Sequence, residues 1–284
     1  MKNKNKKGVI FTIAITIIFF LLLGVVSLST GFIFAERISD YDLEAYCWIN
    51  GIAQLVLSIG IIFIMQKVDV FDKRDFTLTG IGQGVFTGLV GVIFGVFMFL
   101  VNLIGNLSYI QISNISYLLA GLFIAFTTGL FEEVLVRGFA YNNFLKHNGR
   151  SVTGIKKSII WSSVLFGVIH IVNLSGYDLA SILTTVSQII SAIIIGMYFA
   201  LVYTKSKNLW AVAIIHALID GATFALYSIL SAEAFRPVAT ETLSTLDIIL
   251  QNFIISLASM VPFLVAVIVK WRKLKFSFTG TEMD

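Results

Sequence analysis

Glu132, Glu133, Arg137 and Asp220 are the charged side chains that fall inside the long apolar stretches of this sequence, and His170 and His216 fall inside such stretches too. An ionisable group in hydrocarbon costs a few kcal/mol or more, so each marks a functional site by default. Glu133 and Arg137 stand four residues apart, the spacing that brings a carboxylate and a guanidinium together on one helix face. Glu132 is rotated by about 100° from Glu133, so it is expected to point elsewhere and escape neutralisation. Phe166 and His170 share a face at the same spacing, and so do His216 and Asp220. A carboxylate beside an imidazole is the equipment of general acid–base chemistry. Two histidines with carboxylates are also a donor set that can hold zinc with an open position.

Such residues need helices that cross a membrane to position them. The 284 residues are 57% hydrophobic and 13% charged, and the mean hydropathy is +0.92. Soluble domains are about 25% charged, so this much apolar surface requires lipid. Eight spans are expected: Gly8–Phe34, Trp48–Met65, Leu78–Gly105, Tyr117–Phe144, Ser158–Val172, Leu179–Tyr203, Leu209–Leu230 and Ile248–Val269. The fifth is short at its outer end, as a broken helix or a water-filled pocket would make it. The whole chain, residues 1–284, reads as one integral-membrane domain. Its fold class is all-α, a polytopic bundle around a buried polar site.

Loop charges orient the bundle. Lys67, Lys73, Arg74, Lys146, Arg150, Lys156, Lys157, Lys205, Lys207, Lys270, Arg272, Lys273 and Lys275 fall on one side with the N-terminal lysines. Glu36, Asp40, Asp42, Glu44, Asp178, Glu233, Glu241 and Asp247 fall on the other, with only Arg37 and Arg236 among them. The positive-inside rule then makes both termini cytoplasmic. It also explains the net charge of +4 without nucleic acid. The lysine-rich start followed by an apolar run resembles a signal peptide, but the run is longer than an h-region, and it is expected to remain as the first span. At 1.5 Å per residue, Glu132 lies roughly 21 Å from Lys146, His170 roughly 20 Å from Lys157, and His216 roughly 14 Å from Lys207. All three can therefore meet in the middle or cytoplasmic half of the bilayer.

Other features carry less. The glycines of Gly80–Gly95 lack the strand and the lysine of a phosphate loop, and read as close packing of a membrane helix. Trp48, Trp210 and Trp271 read as interfacial anchors. Cys47, the one cysteine, excludes an internal disulfide and a cysteine zinc site. His147 falls in a basic loop and is expected to have no partner.

EExxxR at Glu132–Arg137, FxxxH at Phe166–His170 and HxxxD at His216–Asp220, in this order on separate helices, resemble the CAAX-protease and bacteriocin-processing family. The resemblance covers roughly residues 117–230, the expected catalytic core. It implies a helical bundle enclosing a conical, water-accessible cavity, and an intramembrane endopeptidase. Glu132 would be the general base, His170 would orient the attacking water, and His216 and Asp220 would face the oxyanion. Glu133, Arg137 and Phe166 would hold the site in shape. The CAAX endoprotease branch usually carries Asn where Asp220 stands. An ionised Asp would repel an oxyanion, so Asp220 is expected to be protonated, to orient His216, or to bind a metal.

Family members are often called metalloproteases, and His170, His216, Glu132 and Asp220 are the residues a zinc ion would use here. The HExxH signature is absent, and a glutamate-activated water without metal is the other reading. The expected partners are the lipid bilayer and a membrane-associated peptide or protein substrate, cut in peptide maturation or bacteriocin immunity. The compact chain with its lysine-rich start reads as bacterial, which places it in the plasma membrane and makes prenylated substrates implausible. A membrane immunity protein that keeps the pocket without catalysis is the alternative. A proton-coupled transporter ranks last, because no inverted repeat of broken helices is visible.

Overall fold

The computed structural model describes residues 2–35, 43–110, 115–227, 229 and 245–277. Among these every regular element is helical. Eleven α-helices follow in chain order: α1 (Lys2–Ala35), α2 (Leu43–Lys67), α3 (Ile81–Thr87), α4 (Leu89–Gly105), α5 (Ile115–Glu133), α6 (Asn142–Asn148), α7 (Val152–Ile169), α8 (Leu179–Ser206), α9 (Leu209–Tyr227), α10 (Thr245–Ala258) and α11 (Val261–Ser277). A π-helical stretch, Val134–Tyr141, joins α5 to α6. Glu36, Arg37, Asp40, Asp42, Glu233, Arg236 and Glu241 of the expected outer loops lie outside the described residues.

Among the described residues six spans are long and apolar enough to cross a membrane: Lys6–Thr30, Glu44–Lys67, Ile115–Asn148, Val152–Asn173, Leu179–Ser206 and Ile249–Leu274. A seventh is reached if α3 and α4 count as one span bent by 77°. The bend falls at Gly88, whose backbone (φ −96°, ψ 22°) leaves the helical region, so the glycine-rich segment is two helices rather than one. The last span is also interrupted, at Ser259 and Met260, just before Pro262. Proline lacks the N–H that would continue the ladder and disfavours helix in the residue before it. The fifth expected span gives way at its outer end to a 3₁₀ turn over His170–Asn173.

The chain divides into two compact units. One comprises residues 15–139 and 206–237. Here α9 packs against α3, α4 and α5, and α2 packs against α5. The sequence permits this because glycines of the neighbouring helices let α9 come close on more than one side. A Cβ on Gly84 would meet the Ala211 Cβ at 2.4 Å, and one on Gly95 would meet the Leu218 backbone at 3.0 Å. Polar side chains cross between helices: Asn50 of α2 donates to Thr30 Oγ1 of α1 at 3.0 Å. Gln54 of α2 donates to Thr128 Oγ1 at 3.0 Å and accepts from Thr127 at 2.8 Å. Asn208 caps α9 by accepting from the Ala211 N–H at 2.9 Å.

The other unit comprises residues 1–14, 140–205 and 238–284. Gly149 (φ 80°) ends α6 in a conformation that favours glycine, and Ser151 caps α7 by accepting from the Gly154 N–H at 3.2 Å. The α7 and α8 backbones approach where a Cβ on Gly167 would lie 2.8 Å from the Ile189 carbonyl oxygen. Asn143 donates to Thr12 Oγ1 at 2.7 Å. His147, expected to have no partner, lies against α1, where a Cβ on Gly8 would fall 2.0 Å from its Nε2. Sequence spacing could not reveal that contact, because 139 residues separate the two.

Candidate active site

Glu132 and Glu133 end α5, Arg137 follows in the π-helical stretch, and His216 and Asp220 lie on α9. The two elements converge because Gly129, one turn before Glu133, removes the side chain that would separate them. A Cβ there would stand 2.8 Å from the Ala213 carbonyl oxygen, 2.9 Å from the Ala217 nitrogen and 3.3 Å from the His216 Cβ. On the other side of α5, Gln54 braces Thr127 and Thr128, so that the turn carrying Thr128 and Glu132 is fixed from α2 as well.

The centre of the cluster is the His216 ring. Its Nδ1 lies 2.8 Å from Glu133 Oε1, and the same oxygen accepts from Arg137 Nη1 at 2.8 Å. Glu133 and Arg137 are both wholly buried. A carboxylate already paired with a guanidinium accepts rather than donates, so Nδ1 carries the hydrogen and Nε2 is turned away. Nε2 faces Glu132 Oε2 at 3.5 Å and Asp220 Oδ2 at 3.7 Å. A bare lone pair on Nε2 would be repelled by two carboxylates. A proton therefore resides among these three atoms, and the cluster can take up and release one.

Glu132 stays out of the Glu133–Arg137 pair and turns to the other side of the His216 ring. The two adjacent carboxylates straddle one imidazole and reach its opposite nitrogens. Glu133 is consequently more than half of an ion pair, because it also holds His216. Asp220 stands beside His216, its Oδ2 3.7 Å from Nε2.

Phe166 and His170 belong to the other unit and form a pair there. The rings meet edge to face with centroids 5.0 Å apart, and His170 Nδ1 lies 2.7 Å from the Phe166 carbonyl oxygen. A carbonyl only accepts, so Nδ1–H is the donor, and Nε2 is the nitrogen that can accept a proton in the neutral ring. His170 ends α7 at the turn into 3₁₀ geometry, which brings its side chain back over the Phe166 carbonyl.

Among the described residues no three His, Cys, Asp or Glu side chains are gathered so as to hold a metal. A recess of about 200 Å³, lined by Thr184, Ser187, Asn252 and Phe253 among others, contains none of the motif residues. Gly129 and Gln54 were absent from the sequence reading. Each left a signal, a glycine one turn before the motif and an amide in the middle of an apolar span.

Residues 114–222 match the family model described as type II CAAX prenyl endopeptidase Rce1-like. No curated protein and no solved structure matches the chain.

Proposed function

We propose that this multi-pass membrane protein, which belongs through residues 114–222 to the CAAX-protease and bacteriocin-processing family, is an intramembrane endopeptidase that works without a metal. The observation that carries the proposal is the His216 ring held between Glu133 on one nitrogen and Glu132 and Asp220 on the other. Such a cluster suits peptide hydrolysis, which needs one proton removed from water and one delivered to the leaving amine.

Glu132 takes the proton from water, and the hydroxide adds to the scissile carbonyl carbon. The oxyanion formed accepts from His216 Nε2–H, a donor fixed in place beforehand by Glu133 and Arg137; a single donor of this kind contributes roughly 100- to 1,000-fold in rate. The tetrahedral intermediate collapses with cleavage of the C–N bond, and Glu132 returns its proton to the departing nitrogen. His170 takes the water-orienting role that the family resemblance implies, with Phe166 fixing its tautomer.

The substrate is a membrane-associated peptide or protein, and the setting is a bacterial plasma membrane. The eight crossings of this reading take the six long spans and the bent α3–α4 pair with the shorter α9 as one crossing each. The lysine distribution supports a topology with both termini in the cytoplasm.

The test compares membrane peptides from cells making the wild type or Glu132→Gln, by mass spectrometry of new chain ends. Termini that require the wild type are expected, that disappear with Glu132→Gln and His170→Ala, and that survive treatment with a zinc chelator. Matched profiles from equally abundant proteins would overturn the peptidase reading and favour a non-catalytic immunity protein. Loss of cleavage on chelation, restored by zinc, would overturn the metal-free mechanism.

A further inference from the structure

We propose that Gln54 of α2 is a positioning residue for Glu132: by gripping α5 at two points around its axis, it fixes the rotation that aims the outer glutamate at His216. The inference rests on the reading of Glu132 as the base. Gln54 lies in the middle of an apolar span and is 5% exposed. Its Oε1 accepts from Thr127 Oγ1 at 2.8 Å, and its Nε2 donates to Thr128 Oγ1 at 3.0 Å. Adjacent residues of a helix point about 100° apart. One planar amide that reaches both resists a swivel of α5, which a single bond would allow.

The two helices approach closely at this level. A Cβ on Gly51, one turn before Gln54, would fall 2.5 Å from the Phe123 ring and 3.1 Å from Thr127 Oγ1. Thr128 stands one turn before Glu132, and these two are the partly exposed residues in the otherwise buried run from Thr127 to Tyr141. They share one stripe of the helix. The two glutamates depend on its rotation unequally. Glu133 is tied independently by Arg137 and by His216, each at 2.8 Å. Glu132 is held less closely, at 3.5 Å from His216 Nε2, so its place follows the backbone more. A helix with its side chains has a radius of about 5–6 Å, so a swivel of roughly 10° carries a side-chain tip about 1 Å. A misplacement of that size can cost about 100-fold in rate.

Stability depends on Gln54 much less. Without the amide, the Thr127 hydroxyl keeps the Phe123 and Ile124 carbonyls at 3.0 and 3.2 Å, and Thr128 is only partly buried. Its loss therefore orphans no fully buried polar group. A merely structural Gln54 would predict small effects on stability and on rate alike.

The experiment measures kcat and KM on a peptide spanning the cleavage site, thermal unfolding in detergent, and the magnetic resonance of the histidine ring nitrogens, assigned with His147→Gln and His170→Gln. Gln54→Met keeps the length and removes the amide. It is expected to lower kcat about 100-fold with KM unchanged and to lower the Tm by only a few degrees. It should also shift the His216 Nε2 resonance as Glu132→Gln does. Thr128→Val gives the same pattern, and Thr128→Ser, which keeps the hydroxyl, retains wild-type kcat; this pair stands in if Gln54→Met fails to fold. Asn50→Leu removes the bonds to Thr30 and Ser27 one turn away, and it lowers the Tm while leaving kcat and the resonance unchanged. Wild-type kcat or an unmoved resonance in Gln54→Met would overturn the proposal, and so would an equal loss of kcat in Asn50→Leu. If the wild type cuts no peptide, the endopeptidase reading fails, and the resonance alone then decides whether Gln54 positions Glu132.

Discussion

Replacing Gly129 with alanine adds one methyl group at a position that no reacting atom touches, and it is expected to disable the site. The new Cβ would lie 2.8 Å from the Ala213 carbonyl oxygen and 2.9 Å from the Ala217 nitrogen. Both are backbone atoms of α9, so no side chain can rotate away to relieve the overlap. Restoring ordinary contact, about 3.5 Å or more, means parting α5 from α9 by roughly 0.5–1 Å. Overpacking of this kind costs about 1–3 kcal/mol. The chemical effect is larger, because the same movement pulls His216 from the 2.8 Å contact with Glu133 that sets its orientation. A 1 Å misplacement can cost about 100-fold in rate. The assay is kcat/KM on a peptide spanning the cleavage site found from new chain ends, with thermal unfolding in detergent measured in parallel. Gly24→Ala is the matched control: its Cβ meets no described atom within 4 Å, and alanine favours helix over glycine by about 1 kcal/mol. A Gly129→Ala protein with wild-type kcat/KM and wild-type melting would refute the argument that this glycine sets the site.

Glu133→Gln strips the buried Arg137 of its carboxylate and is expected to cost about 3–5 kcal/mol of stability, read as a lowered Tm. Glu133→Leu/Arg137→Met, which removes both charges, should recover most of that stability while leaving cleavage lost; recovered cleavage would reduce Glu133 to an ion-pair partner. Asp178, outside the spans, accepts from the Ser181 hydroxyl at 2.6 Å and from the Ser181 N–H at 3.0 Å. These bonds, the hydroxyl foremost, hold its carboxyl below the usual carboxylate range. Its folded pKa is thus the lower one, so the stabilisation is complete above the unfolded value and disappears as pH falls through the folded one. Asp178→Ala should therefore lower the Tm at neutral pH and approach wild-type behaviour at strongly acid pH, and a Tm difference constant with pH would contradict this.

The residues of the site were legible because hydrocarbon makes ionisable groups rare, so Glu132, Glu133, Arg137, His216 and Asp220 identify themselves by type and depth. Spacing within one helix also reads directly, and the 2.8 Å pair of Glu133 with Arg137 is the i, i+4 contact it announces. What crosses between helices does not read. The Glu133–His216 bond joins residues 83 positions apart, and no periodicity along either helix specifies the rotation of one about the other. The 77° bend between α3 and α4 is a similar case. Six glycines can mean tight packing, a break, or both, and the choice depends on what α9 presents to them. Gly84 and Gly95 pack, whereas Gly80 and Gly82 face no described atom within 4 Å.

The order of burial inside the cluster accounts for how so many charges persist in an apolar bundle. Glu133 and Arg137 are 0% exposed, His216 is 8% exposed, Glu132 13% and Asp220 22%. The deepest pair neutralises itself, and Glu133 Oε1 takes both the guanidinium and the imidazole N–H. With that pair beneath it, His216 is anchored from below and presents only Nε2 outward. The acids with the least neutralisation are those with the most access. Had Arg137 paired with Glu132 instead, the charge left over would be the buried one, and a buried unpaired carboxylate is the costliest arrangement these residues could adopt. The structure pairs Arg137 with Glu133 instead. Stability thus assigns the inner glutamate to structure, and it is the outer one that the proposed mechanism uses as base.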